Sequence, residues 1–287
     1  MNLTKKWPEY WIVESTNHCN LACPICDNKY MRRTKGFMPF EDFKNYLIQL
    51  KEIGAKKIDF DLGGEPLLNK DLFKMVALAH GLGIKTSFST NGTLLDKKCY
   101  ALFDSCLDNL LISLDGMSAE SYEKVRIGAK FKKVKANIES LMEYKEKHGY
   151  NRPKILLSFI VTKYNEDEIS EFKDWARKNS NGFIVKSLSV NTKYEDEAKE
   201  FQSVNPNFKR ISQKKNCDWK TKNGVILWNG NLGLCCVDIL GRHTFGNLKE
   251  KPLKDLLQTA EYHARNELIS GKVFGLCKNC RELKVII

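Results

Sequence analysis

The chain has 287 residues, 42% hydrophobic and 29% charged, with a formal net charge of +12, which excludes a disordered chain and leaves room for one large domain plus a small appendage. No run of about 18 apolar residues occurs and the start lacks a signal-peptide layout, so no membrane span is expected and a cytoplasmic location is. The basic excess invites nucleic acid, yet lysines interleave with acids through stretches such as Glu139–Lys147 and Glu166–Lys178, which read as solvated faces.

The first predicted strand, 10–15, opens on Tyr10-Trp-Ile-Val13 and runs straight into Thr16-Asn-His-Cys-Asn-Leu-Ala-Cys-Pro-Ile-Cys26. Cys19, Cys23 and Cys26 form C-x3-C-x2-C, and three thiolates on one tight loop can hold three irons of a cubane 4Fe–4S cluster. The fourth iron is then open to a cofactor. Structural zinc takes four protein ligands, usually as paired C-x2-C knuckles, and the triplet does not fit that pattern. The five histidines show no metal-binding spacing either.

Short apolar runs then alternate with helical periodicity. Strands are expected at 57–62, 84–89, 109–114, 154–161 and 183–189, and helices at 40–53, 70–81, 94–104, 118–126 with 132–148, and 166–179. Such alternation implies an α/β fold, a parallel sheet with right-handed crossovers in an open or partial barrel. Chemistry should gather in the loops after the strands' C-terminal ends. Those loops carry Gly63-Gly64-Glu65-Pro66, Ser89-Thr90-Asn91-Gly92 and Ser113-Leu-Asp115-Gly116.

Residues 191–216 are polar and irregular and read as a linker between a core at 8–190 and a second unit at 217–287. The second unit holds Cys217, Cys235, Cys277 and Cys280. A hairpin is expected there, from Val225–Trp228 through Asn229-Gly230 to Asn231–Cys235. On a strand Cys236 would face away from Cys235. It reads as a buried small side chain, an alternative ligand, or a thiol that donates hydrogen. Cys99 and Cys106 are expected to be buried packing, and Trp219, Trp228 and Tyr262 core of the second unit.

Taken together, these motifs resemble the radical S-adenosylmethionine superfamily over nearly the whole chain, with Ile25 standing where its members usually place an aromatic residue. The resemblance implies a partial (β/α)6 barrel in which the open iron is chelated by the amino and carboxylate groups of S-adenosylmethionine. It implies that Gly63, Gly64 and Glu65 serve the cofactor's amino group, two glycines allowing close backbone approach. It assigns Ser89, Thr90, Asn91, Ser113 and Asp115 to ribose hydroxyls or carboxylate, and finds Asn165 at a familiar polar position after the fifth of the strands. Arg126 matches a position that pairs with the methionine carboxylate, the alternative being a surface arginine.

The second cysteine set looks like a SPASM/twitch appendage. Cys280 lies seven residues before the last residue, so four ligands are in view, as for one auxiliary 4Fe–4S cluster. This layout is similar to that of 2-deoxy-scyllo-inosamine dehydrogenases; a structural zinc is the alternative. The expected activity is reductive cleavage of S-adenosylmethionine to a 5′-deoxyadenosyl radical, hydrogen abstraction, and net oxidation of a small metabolite or sugar. A flavodoxin or ferredoxin would donate electrons. The alternatives are a maturase that cross-links or epimerises a ribosomal peptide, and a non-catalytic zinc or iron–sulfur protein that binds nucleic acid.

Overall fold

The computed structural model describes residues 7–96, 100–188, 199–208, 217 and 222–270. Six strands run parallel: β1 (Tyr10–Val13), β2 (Lys57–Asp59), β3 (Lys85–Thr90), β4 (Asn109–Ser113), β5 (Lys154–Val161) and β6 (Gly182–Ser187). Helices α1 (Phe40–Glu52), α2 (Leu72–Gly81), α3 (Ala101–Asp104), α4 (Ala119–Val125), α5 (Phe131–Lys147) and α6 (Ile169–Asn179) fill the crossovers. Three further strands, β7 (Asn223–Ile226), β8 (Asn231–Gly233) and β9 (Thr244–Asn247), complete the order β6-β5-β4-β3-β2-β1-β7-β8-β9 among the described residues.

The helices cover one face of this sheet. α1 buries Phe43, Tyr46, Leu47 and Leu50, the stripe of an amphipathic helix, and α5 does the same with Val134, Ile138 and Leu141. They pack on Ile58, Phe88, Leu110, Ile112, Leu157 and Phe159, which alternate along their strands. Fully burying each such side chain contributes roughly 1.5–3 kcal/mol before entropy is counted. The intervening residues, among them Asp59, Ser87, Ser89, Ser158 and Lys186, therefore line the opposite face.

That face is concave. Lys186 on β6 and the residue Asp61 just past β2 influence each other electrostatically, although four strand spacings would hold them about 19 Å apart in a flat sheet. The sheet is rolled, but it is not closed: β1 pairs in parallel with β7, which starts an antiparallel hairpin with β8. Trp11 sits opposite Gly224 in that pairing, and a Cβ at Gly224 would lie 2.6 Å from the indole Cε3. Glycine there is what lets a buried tryptophan sit between the barrel and the hairpin.

Several boundaries differ from expectation. β2 stops at Asp59 because its neighbour β1 ends at Val13 and diverges into the cysteine loop. Of the helix expected at 94–104, the described part is α3 alone, and Cys99 lies outside the described residues. Cys106 is half-buried at φ +60° in the turn after α3, so it is not the buried packing residue expected. Of the linker 191–216, residues 199–208 are described, with one turn of 3-10 helix at Pro206–Phe208, and the rest lies outside. Trp219 lies outside as well, while Trp228 is half-buried and Tyr262 is 5% exposed.

One buried ion pair ties these parts together. The Glu14 carboxylate, 0% exposed, accepts from both terminal nitrogens of Arg33, Nη1 at 2.8 Å. Glu14 also accepts from Trp228 N at 3.2 Å, and Arg33 donates to Ile239 O at 3.1 Å. The pair thus links the end of β1, the segment after the cysteine triplet and the hairpin region. Removing one partner of such a pair leaves an uncompensated buried charge. Arg33→Met is expected to destabilise the anaerobically purified protein by about 3–5 kcal/mol in urea unfolding, whereas Lys44→Met, at an exposed pair, should cost under about 1 kcal/mol.

Candidate active site

The cysteine triplet lies on a loop held by its own polar side chains. Thr16 Oγ1 donates to Gly36 O at 2.8 Å, and Asn17 Oδ1 accepts from Gly36 N at 2.8 Å. Ala22 N donates to Ile127 O at 3.0 Å, and Cys26 N to Cys23 O at 3.1 Å. Cys23 is buried, Cys19 and Cys26 are half-buried, and all three are free thiols that feel one another's charge. Asn28 N donates to Cys26 Sγ at 3.5 Å, which favours the thiolate. Burial pushes the Cys26 thiol up to about 11 and that of Cys19 upward, so metal uptake must displace protons. Three soft thiols on one loop, within electrostatic reach of one another and with a backbone donor to one of them, suit an iron–sulfur cube bound at three corners.

The glycine loop is pressed onto this loop. Glu65 N donates to His18 O at 2.7 Å, and Asn28 Nδ2 donates to Gly63 O. A Cβ on Gly64 would collide with Thr16 O and come within 2.7 Å of His18 O, so no other residue fits there. The Glu65 carboxylate, 2% exposed, accepts from Thr90 Oγ1 at 2.7 Å, Asn91 N at 2.8 Å and Leu67 N at 3.2 Å. Asn91 Nδ2 in turn donates to Asn20 Oδ1 at 2.9 Å, beside Cys19. The structure therefore brings together Gly63, Gly64, Glu65, Thr90 and Asn91 with the cysteine loop. Ser89 lies half-buried at the end of β3, its N–H donated to Asp61.

A second knot forms beyond β4. Arg126, the residue capping α4, donates through Nε to Asp115 Oδ2 at 2.6 Å, and Asp115 Oδ1 accepts from Ile160 N at 2.7 Å. Asn165 Nδ2 donates to Asp115 O at 3.1 Å and Ile160 O at 2.9 Å. Asp115 is 0% exposed and the Arg126 side chain 13%, so the surface-arginine alternative does not hold. Arg126 Nη1 lies 4.0 Å from Cys23 Sγ, a cation beside the cluster loop. Ser113, half-buried at the end of β4, stands apart from this knot.

In the second set, Cys217 and Cys235 both pack on Ile12, Val225 and Leu227, with Tyr10 and Leu62 alongside. Cys277 and Cys280 lie outside the described residues. Cys235 follows β8 in a turn closed by Asp238 N donating to Cys235 O at 3.2 Å. Strand alternation therefore does not apply to Cys236, which is exposed rather than buried and whose charge reaches Tyr10. Also unforeseen are Tyr10, Asp59, Asp61 and Lys186 on the concave face. The signal was present in Lys57-Ile-Asp59-Phe-Asp61, charges at every second position of a strand that a parallel sheet should bury.

Residues 13–176 match the radical SAM superfamily, and the chain belongs to that superfamily. Residues 217–281 match SPASM, an iron–sulfur cluster-binding domain, so the expected cofactors are S-adenosylmethionine and 4Fe–4S clusters of both kinds, and the chain is an enzyme rather than a non-catalytic nucleic-acid binder. Over 95% of its length the chain is 25% identical to the tungsten-containing aldehyde ferredoxin oxidoreductase cofactor-modifying protein of Pyrococcus furiosus, covering 87% of that protein. The fold is similar to that of BtrN in complex with AdoMet and 2-DOIA, at TM-score 0.64 and 19% identity over 96% of this chain and 94% of that one. It is also similar to Streptococcus suis SuiB bound to precursor peptide SuiA, at TM-score 0.71 and 19% identity over 96% of this chain and 71% of that one. At these identities the two structures establish the fold alone. No helix among the described residues is long and apolar enough to cross a membrane.

Burial also pushes the Glu65 carboxyl up to about 7, against the hydrogen bonds it accepts from Asn91, Thr90 and Leu67. The folded protein then holds that proton more tightly than the unfolded chain, so the group's contribution is full below its ordinary range and is lost as pH rises through about 7. Between about pH 5.5 and about pH 8, Glu65→Gln is therefore expected to flatten the fall in unfolding free energy seen for the wild type, on the order of 1–3 kcal/mol. Equal slopes for the two proteins would show that Glu65 is ionised throughout.

Proposed function

We propose that this radical SAM enzyme carries out a net oxidation of a small metabolite or sugar, with the second cluster accepting or relaying an electron. The supporting observation is the position of Cys217 and Cys235, which share an apolar cluster with Ile12, Tyr10 and Leu62 beside the concave face of the sheet. A cluster fully ligated by Cys217, Cys235, Cys277 and Cys280 has no site for S-adenosylmethionine, so electron transfer is its simplest use. A flavodoxin or ferredoxin is the proposed donor.

When bound at Cys19, Cys23 and Cys26, the first cluster and S-adenosylmethionine supply a 5′-deoxyadenosyl radical that removes a substrate hydrogen atom. This chain's residues supply position and charge. Gly63 and Gly64 let the backbone reach the cofactor's amino group, and Glu65 holds that loop to Thr90 and Asn91. Arg126, fixed by Asp115 and beside Cys23, is placed to meet the cofactor's carboxylate. Ser89 and Ser113, half-buried near the ends of β3 and β4, are the proposed donors for ribose hydroxyls, whereas Asn91 spends its amide on Asn20 and Thr93 and braces the loop. Helices on the outer face close the lumen against water from that side.

Replacing Cys19, Cys23 and Cys26 together by Ala is expected to halve the iron after anaerobic reconstitution and to abolish 5′-deoxyadenosine formation. Retained formation would contradict the assignment of the triplet. Arg126→Ala should weaken S-adenosylmethionine binding at least about tenfold, the effect of losing a charge-assisted contact. With substrate in heavy water, a product two mass units lighter supports oxidation. A product one unit heavier, with its deuterium lost in Cys236→Ala, would replace oxidation by epimerisation and make the exposed Cys236 the hydrogen donor.

A further inference from the structure

We infer that Arg265 is a positioning residue for the second cluster: its buried guanidinium holds the turn that carries Cys235 and sets a fixed positive charge beside that ligand, which raises the cluster's reduction potential. The inference rests on the reading of Cys217, Cys235, Cys277 and Cys280 as ligands, and it adds how this chain would tune the group they hold. Arg265 lies on the helix Ala260–Ser270 and is 0% exposed. Among the fully buried side chains of the described residues only Trp11 is larger. Arg265 donates through Nη2 to Leu234 O. That carbonyl belongs to the same planar peptide as the N–H of Cys235, so the cation stands one peptide unit from the ligand residue.

Two aromatic rings fix the cation there. Its guanidinium carbon lies 4.9 Å from the ring centroid of Tyr262 and 5.9 Å from that of Phe245 on β9. The two rings stand at 90° to each other, and their faces attract a cation. Burial pushes the Tyr262 phenol upward and Arg265 opposes that shift, so the charge is felt across this packing. On its other side Cys235 is held by Asp238 N, which donates to Cys235 O at 3.2 Å. Asp238 in turn accepts from Arg242 N at 3.1 Å and His243 N at 2.9 Å. The carbonyls on either side of the Cys235 α-carbon are thus both tied down, while its thiol packs with Cys217 on Ile12, Val225 and Leu227.

Packing alone does not call for arginine at this position. Taking a guanidinium out of water is costly, and an apolar side chain of similar volume would fill the space against Tyr262 and Phe245 without that cost. Arginine also keeps its proton when buried, whereas lysine readily gives it up. What only a cation supplies here is its field. Four thiolates outweigh the positive charge of a 4Fe–4S core, so a cluster they ligate is anionic and becomes more so on reduction. A fixed cation in a low-dielectric interior therefore favours the reduced state over the oxidised one and moves the potential upward. A higher potential suits a cluster that accepts an electron. Partners one step behind a ligand commonly set both its orientation and the properties of the metal.

The test is a potentiometric titration of the anaerobically reconstituted full chain, following by electron paramagnetic resonance the 4Fe–4S signal that S-adenosylmethionine does not shift. Arg265→Gln keeps an amide donor for Leu234 O and removes the charge. It is expected to lower the midpoint by at least a tenfold change in the reduction equilibrium, about 59 mV for one electron. Arg265→Met, neutral and of similar length, decides the matter if Arg265→Gln does not fold. Arg265→Lys should return most of the shift. Arg242→Gln, at an exposed cation seven residues after Cys235, should change the equilibrium less than about twofold, because solvent screens that charge. An unchanged midpoint in a folded neutral variant overturns the inference. So does a midpoint in Arg265→Lys as low as in Arg265→Gln, which would assign the shift to packing, or an equal shift in Arg242→Gln. Absence of any such signal from the wild type would instead overturn the second-cluster reading, and the inference with it.

Discussion

The buried contact between Glu14 and Arg33 is the constraint on which the rest of the molecule depends. A carboxylate with no exposure must be paired, and here it is met by both terminal guanidinium nitrogens and by Trp228 N. Because Glu14 directly follows β1 and Arg33 follows the cysteine triplet, the pair fixes where the cluster loop leaves the sheet. Because Arg33 also reaches Ile239 O, it sets the segment after Cys235 and Cys236 against that loop. A Cβ on Gly63 would lie 3.3 Å from both Glu14 Oε1 and Ile239 O, so the glycine loop passes through the same junction. The cluster loop and the segment after Cys235 and Cys236, far apart in sequence, are tied together by one charge pair.

Around that junction the protein uses its charged residues mainly on itself. Glu65 is consumed by three donors from the protein, and Asp115 by Ile160 N and Arg126. Preorganised polar groups of this kind hold a reactive site without rearrangement during reaction. The proposed ligand contacts are left to the backbone of Gly63 and Gly64 and to the face of Arg126 beside Cys23. The division is physical. Residues sealed from solvent with satisfied partners brace the site.

Much of this was legible in the sequence because it is local. The spacing of Cys19, Cys23 and Cys26, the Gly63-Gly64-Glu65-Pro66 turn and the alternation of strand and helix each depend on residues a few positions apart. What was not legible depends on distant pairing. Nothing near Trp11 announces that Gly224 will lie opposite it, yet that pairing joins the hairpin to the barrel sheet. Arg126 reads as a helix-end residue until Asp115 is brought against it. Cys236 reads as a strand residue because Gly233 and Leu234 extend the apolar run, whereas the turn closed at Asp238 turns it outward. Asp59 and Asp61 were hidden by a strand that looked only structural.

Two chemically different clusters are proposed for this chain, one open to S-adenosylmethionine and one closed by its own thiolates. Electron paramagnetic resonance of the dithionite-reduced, anaerobically reconstituted protein, recorded with and without S-adenosylmethionine, tests that proposal most directly. Two 4Fe–4S signals are expected, of which one shifts on adding S-adenosylmethionine and the other does not. A single signal, or two that both shift or both stay, would contradict it.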